Sequence, residues 1–287
     1  MPAAAFTVSA AAAALALPLA VAAIPDPGRE LLRPEMVAVA AAVVDFPLPG
    51  QYLRAGRVVA APRQRAAVSA FAITAHQVSR ADYGRCVEAG SCTLPQSVVG
   101  PDDAPVTGVS FRDATSYAAW YSRVTGEAWR LPTALETAAA AAERFVGDGD
   151  MIADDPSNPA ARWLGTYRAA VAADRLPDPA PKPRGHYGMN SLGLADFGGN
   201  VWEWTTTCYS RVTLGDDGSP ARAIENCGVR VIEGRHRSYM TDFVRDPKAG
   251  GCAVGTPPDN LGFRLVREAP AVPAVAWLKR RLAWLMA

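Results

Sequence analysis

Hydrophobic and polar positions change period several times along the chain, and each change predicts an element. Residues 34–44 (PEMVAVAAAVV) form an apolar run that predicts a strand, and the basic stretch 54–65 after it reads as strand and loop. Phe71, Ile73 and Val78 predict a further strand; Ser79 then caps a short helix that carries Tyr83 and Val87 to a stop at Gly90. Residues 106–109 read as another strand. Ser110 and Asp113 follow at capping-box spacing, and Tyr117, Trp120, Tyr121 and Val124 recur at helical spacing until Gly126, which predicts an amphipathic helix. A second box, Thr133 and Glu136, opens an alanine-rich helix through Ala142, and Arg130-Leu131-Pro132 keeps its entry extended. From 147 to 184 no period survives. Asp148, Asp150, Asp154 and Asp155 there read as a solvated acidic loop with only weak affinity for a cation.

The stretch 193–204, GLADFGGNVWEW, organises the rest. Asp196 and Glu203 are separated by a Gly-Gly-Asn turn and flanked by Trp202 and Trp204, so carboxylate and backbone oxygens can converge where aromatic bulk excludes water. A hard cation needs such a set, and a plain glycine turn with core tryptophans is the alternative.

This stretch resembles the "GLYDMxGNVWEW" signature of the formylglycine-generating enzyme, or sulfatase-modifying factor, family. Three more stretches resemble that family in the same order: residues 71–90 its first strand and helix, residues 105–133 (PVTGVSFRDATSYAAWYSRVTGEAWRLPT) its "PVxxVSWxDAxAYCxWLSxxTGxxYRLPT", and residues 260–268 (NLGFRLVRE) its closing "xxGFRxxR". The resemblance implies an α+β fold similar to C-type lectins, with a small twisted antiparallel sheet, two main helices and much irregular chain. It also implies one structural calcium held by side-chain oxygens of Asp196 and Glu203 and backbone oxygens of Gly199 and Val201, with Asn200 knitting the loop through its amide.

Catalysis in the family's oxidases resides in a copper(I) site of two cysteines shortly after an "RVxRGGSW" motif. The corresponding run here is Arg230 to Arg237 (RVIEGRHR), and counting onward puts the two thiol positions near Tyr239 and Val244. Neither is cysteine, so copper is not expected. His236 lies inside the altered signature and Cys252 follows after a loop, which makes these two the weak catalytic candidates; the other histidines, His76 and His186, stand at no ligand-like spacing.

Composition narrows the reading. Lysine plus arginine (29) nearly balance aspartate plus glutamate (28) with no basic stripe, which argues against a nucleic-acid partner. Proline and glycine, 24 each, fit a loop-rich domain rather than a helical bundle. Residues 1–23 read as a signal peptide or N-terminal anchor that lacks the usual basic start, residues 34–268 as the family domain, and residues 269–287 as a basic amphipathic tail. Either terminal segment could touch a membrane. Five cysteines suit an exported chain, periplasmic or secreted: Cys86 with Cys92 across a short glycine loop, Cys208 with Cys227 across a polar loop, and Cys252 left over.

The function expected is therefore an exported family member without copper, serving as a maturation or peptide- or protein-binding factor. The alternatives are a metal-dependent (iron or copper) oxidase acting on a peptide or cysteine-containing substrate, and a calcium-stabilised lectin-like binding module. Residue patterns leave the oligomeric state open.

Overall fold

The computed structural model describes residues 33–147, 180–247 and 260–269. Its strands form three sheets. In the first, β1 (Met36–Val39), β6 (Phe71–Thr74), β12 (Val266–Arg267) and β7 (Trp129–Arg130) lie side by side in that order, all antiparallel. The second has the order β10 (Ser238–Thr241), β9 (Pro220–Glu233), β8 (Trp202–Leu214), β3 (Gln51–Arg54) and β4 (Arg57–Val59), with β11 (Leu261–Gly262) also on β8. It is mixed rather than antiparallel, because both β3 and β11 run parallel to β8. The third is the two-stranded ribbon of β2 (Ala42–Pro47) and β5 (Arg63–Val68).

The predicted strand 34–44 is divided between two sheets. Met36–Val39 pairs β6, whereas Ala42–Pro47 pairs β5. Alanines 38 and 40 to 42 offer too little side chain to hold one face through the whole run, so the strand stays in the core only as far as Val39. The basic stretch folds back as the β3–β4 hairpin, turning on Ala55 and Gly56, both with positive φ.

Three α-helices are present among the described residues. The first, α1 (Arg80–Glu88), begins at Ser79, whose hydroxyl accepts the Asp82 N–H. The second, α2 (Phe111–Thr125), carries the full Ser110–Asp113 capping box and ends at Gly126 in the left-handed region. The third, α3 (Ala134–Ala141), carries the Thr133–Glu136 box. Its buried alanines let it lie close against β2, β8 and β9. Residues 106–109 join no ladder, contrary to the strand expected there. Gly108 turns there with φ +70°, and a Cβ on it would stand 2.5 Å from the Ser97 nitrogen, so this buried segment bends instead of extending.

The main core gathers the aromatic face of α2 against Tyr83, Trp129, Trp202, Trp204 and Phe263. Tyr117 stacks between Tyr83 at 5.7 Å and Tyr121 at 5.8 Å, and Trp204 donates its indole N–H to the Val109 carbonyl at 2.9 Å. The signature stretch thus ends as the first residues of β8, inside the core. Both expected disulfides, Cys86–Cys92 and Cys208–Cys227, are closed.

Candidate functional site

Of the four residues that the sequence assigns to a cation, Asp196, Gly199 and Val201 lie on the turn leading into β8, and Glu203 is the second residue of that strand. Asp196 takes φ 59° and Gly198 φ 72°, so the chain reverses tightly before Trp202. Gly199 passes so close to Tyr187 that an added Cβ would stand 2.3 Å from its ring. Asn200 knits the loop as expected: its Oδ1 accepts the Lys182 N–H at 2.9 Å and its Nδ2 donates to the Lys182 carbonyl at 2.8 Å.

The two carboxylates, however, have protein partners. Asp196 is fully buried and accepts the N–H groups of Gly185 at 2.6 Å and Tyr187 at 2.8 Å. Glu203, also fully buried, accepts Arg264 Nε at 2.5 Å and Nη2 at 2.7 Å, and Gln77 Nε2 at 2.8 Å. Arg264 spends its remaining donors on the carbonyls of Thr74, Ala75 and Ala195. A calcium ion bound through Glu203 would meet a buried guanidinium that already balances the charge. As arranged, both carboxylates are already engaged by protein donors. Arg264 ties the end of β6, the turn before β8 and Glu203 together.

Sequence reasoning matched the NLGFRLVRE stretch but gave Arg264 no role. A lone arginine in the apolar run from Leu261 to Val266 was the available signal, since a charge in a buried strand must find a partner.

The altered signature lies at the β9–β10 turn. His236 packs its ring 5.5 Å from Trp202, which donates its indole N–H to the His236 carbonyl at 3.0 Å, and Arg235 places its guanidinium 5.7 Å from the same indole. Gly234 is needed for that approach, because a Cβ there would come within 2.8 Å of Trp202. Arg237 is buried, bonding Glu233 at 2.8 Å and the Pro47 carbonyl at 2.6 Å under the ring of Phe46. The three substituted positions are thus used in packing and ion pairing. Cys252, the expected companion of His236, falls outside the described residues, as do Asp148, Asp150, Asp154, Asp155, residues 1–32 and residues 270–287.

At the positions counted as the thiol sites stand two side chains with other duties. The Tyr239 hydroxyl accepts the Gly50 N–H at 2.7 Å, and its ring meets Tyr209 edge-on at 5.1 Å. Val244 packs against the main core. His76 and His186 lie on other loops: His76 faces Glu35 at 3.6 Å, and His186 packs edge-on against Tyr187. Burial, with help from the positive charge of Arg184, holds His76 below the usual imidazole range. Among the described residues the one grouping of three potential metal-binding side chains is Cys208, Glu225 and Cys227, and its two sulfurs are joined in a disulfide.

A polar cavity of about 230 Å³ opens between the start of β1, the β6–α1 link and α2. Its lining residues include His76, Gln77 and Tyr121, whose Nδ1, Oε1 and hydroxyl are buried with no hydrogen-bond partner.

Comparison with known proteins follows the same outline. Over 192 residues the chain is 29% identical to the formylglycine-generating enzyme of Streptomyces coelicolor, covering 60% of this chain and 55% of the relative. Over 172 residues it is 30% identical to inactive C-alpha-formylglycine-generating enzyme 2 of Mus musculus, covering 58% and 50%. The chain therefore spans about half the length of these relatives. Among solved structures, PvdO from Pseudomonas aeruginosa superposes with a TM-score of 0.50 at 21% identity, covering 83% of this chain and 95% of that one, a likeness of fold. The family described as the sulfatase-modifying factor enzyme 1-like domain (FGE-sulfatase) matches residues 25–269. With that match spanning most of the chain, and with both capping boxes and the GNVWEW turn in place, this protein belongs to the sulfatase-modifying factor family.

Proposed function

We propose that this protein is an exported member of the family that works without the copper oxidase, as a maturation factor or a binder of a peptide or protein. One observation carries the reading. The places where motif spacing would put the copper thiols are held by Tyr239 and Val244, one hydrogen-bonded to the backbone before β3 and the other half-buried against the core. A soft ion has no pair of thiolates to bind there. The relative named inactive C-alpha-formylglycine-generating enzyme 2 offers a precedent in name for a family member without the oxidase activity. Two closed disulfides suit an oxidising compartment, which supports export.

Binding in place of chemistry needs a surface that keeps its shape, and the β9–β10 turn has one. The ring of His236 and the guanidinium of Arg235 rest on Trp202, while Arg237 anchors the turn from below, so an aromatic and cationic patch is presented on a fixed backbone. Metal analysis of protein purified without chelator tests the proposal. It expects copper and iron well below one per chain; a stoichiometric redox metal would refute it.

A further inference from the structure

We infer that the Cys208–Cys227 disulfide is an exchange centre for thiols, built so that an incoming thiolate attacks Cys227 and Cys208 leaves. The inference stands on this hairpin alone and is independent of the proposed binding role.

The two sulfurs differ in burial and in nearest neighbour, although the Glu225 carboxylate oxygen lies within 4.8 Å of both. Cys227 is exposed, on a part of β9 where Cys208 pairs Arg230 but Tyr209 pairs Asn226, so residues 227–229 have no partner on β8, while Val229 still pairs Thr241 of β10. Its sulfur is 3.1 Å from a Glu225 carboxylate oxygen. Cys208 is half-buried, and its sulfur is 3.1 Å from Arg230 Nη1. Arg230 lies over the ring of Phe111 at 4.3 Å, its Nε is buried with no partner, and among the described residues no carboxylate pairs with it at salt-bridge distance. A guanidinium in contact with one sulfur favours a thiolate there, and a carboxylate nearest the other disfavours one, even though Asp242 and Glu225 also act on Arg230 through space.

Exchange runs fastest when the attacked sulfur is accessible and the departing thiol has a low pKa. A substrate thiolate forms a bond to Cys227 Sγ, the Cys227–Cys208 bond breaks, and its electron pair leaves on Cys208 Sγ beside Arg230. A second substrate thiol, deprotonated, then attacks the substrate sulfur of the mixed disulfide and releases Cys227 as thiolate, which takes up a proton. Two thiols have become a disulfide and the hairpin pair has gained two electrons. The substrate class is a cysteine-containing peptide or protein. Phe243, 63% exposed, offers it an apolar contact next to Asp242, whose N–H bonds the Gly228 carbonyl beside Cys227. Cys86–Cys92 provides an internal control, because Cys86 is fully buried in the core.

The test is to expose the oxidised full chain to glutathione, alkylate free thiols at timed points and map the peptides by mass. The expected result is glutathione on Cys227 and alkylation of Cys208, with this bridge opening at least tenfold faster than Cys86–Cys92. Arg230→Gln should shift the reduction equilibrium about tenfold, ~30 mV for this couple, toward the disulfide, and Arg230→Lys should recover part of the shift. As a second variant that does not depend on the half-buried Arg230, Glu225→Gln, at an exposed site, should speed attack two- to threefold. Equal opening of both bridges, glutathione on Cys208, or rates unmoved by both glutamine variants would overturn the inference.

Discussion

Arg264 grips both oxygens of Glu203, at 2.5 and 2.7 Å, across 61 residues of sequence, with both side chains fully excluded from solvent. Removing one partner strands the other as a buried, uncompensated charge. Arg264→Met or Glu203→Gln should each cost about 3–5 kcal/mol in urea unfolding, whereas the double variant should recover a substantial part of that loss. Additive losses would show that the two side chains do not act as a pair.

The same pair decides the response to calcium. With Arg264 balancing Glu203, EDTA or millimolar calcium should leave the melting temperature unchanged. A rise of several degrees with calcium would mean that the ion takes Glu203 from the guanidinium.

Much of this arrangement was legible in the sequence and some was not. The helix starts at Ser79, Ser110 and Thr133 were readable because capping is local: donor and acceptor lie three residues apart. The turn at residues 196–200 was readable for a similar reason, and Asn200 does bridge the loop. What the turn holds was not readable. Glu203 meets Gln77 and Arg264 from distant parts of the chain, and no periodicity marks a polar partner that far away. The split of residues 34–44 between two sheets escaped for a related reason, since pairing is set by which neighbour is present and not by the run itself.

Acid should loosen the helix starts first. Burial pushes the Asp113 carboxyl up, but hydrogen bonds from Arg245, Ser110 and Thr93 outweigh it and leave it below its ordinary 3.8. Glu136 is likewise pushed up by burial and drawn below 4.5 by Arg130 and Thr133. Both groups bind fewer protons folded than unfolded, so their stabilisation is complete above those ordinary values and is lost as pH falls through the depressed ones. Asp113→Asn should flatten the decline in stability below pH ~4, as measured by urea unfolding at stepped pH.

Gly199 leaves no room for a side chain beside Tyr187. Gly199→Ala should force the turn or the ring to shift and cost about 1–3 kcal/mol. Tyr187→Ala in the same background should relieve part of it, and a neutral Gly199→Ala would mean that the ring moves freely.

The absence of a paired-thiol copper site at Tyr239 and Val244 is the claim on which the functional reading turns. Its most direct measurement is the mass of a Cys-x-Pro-x-Arg peptide after incubation with the full chain, copper and oxygen. The account predicts an unchanged cysteine mass; conversion of that cysteine to formylglycine would contradict it.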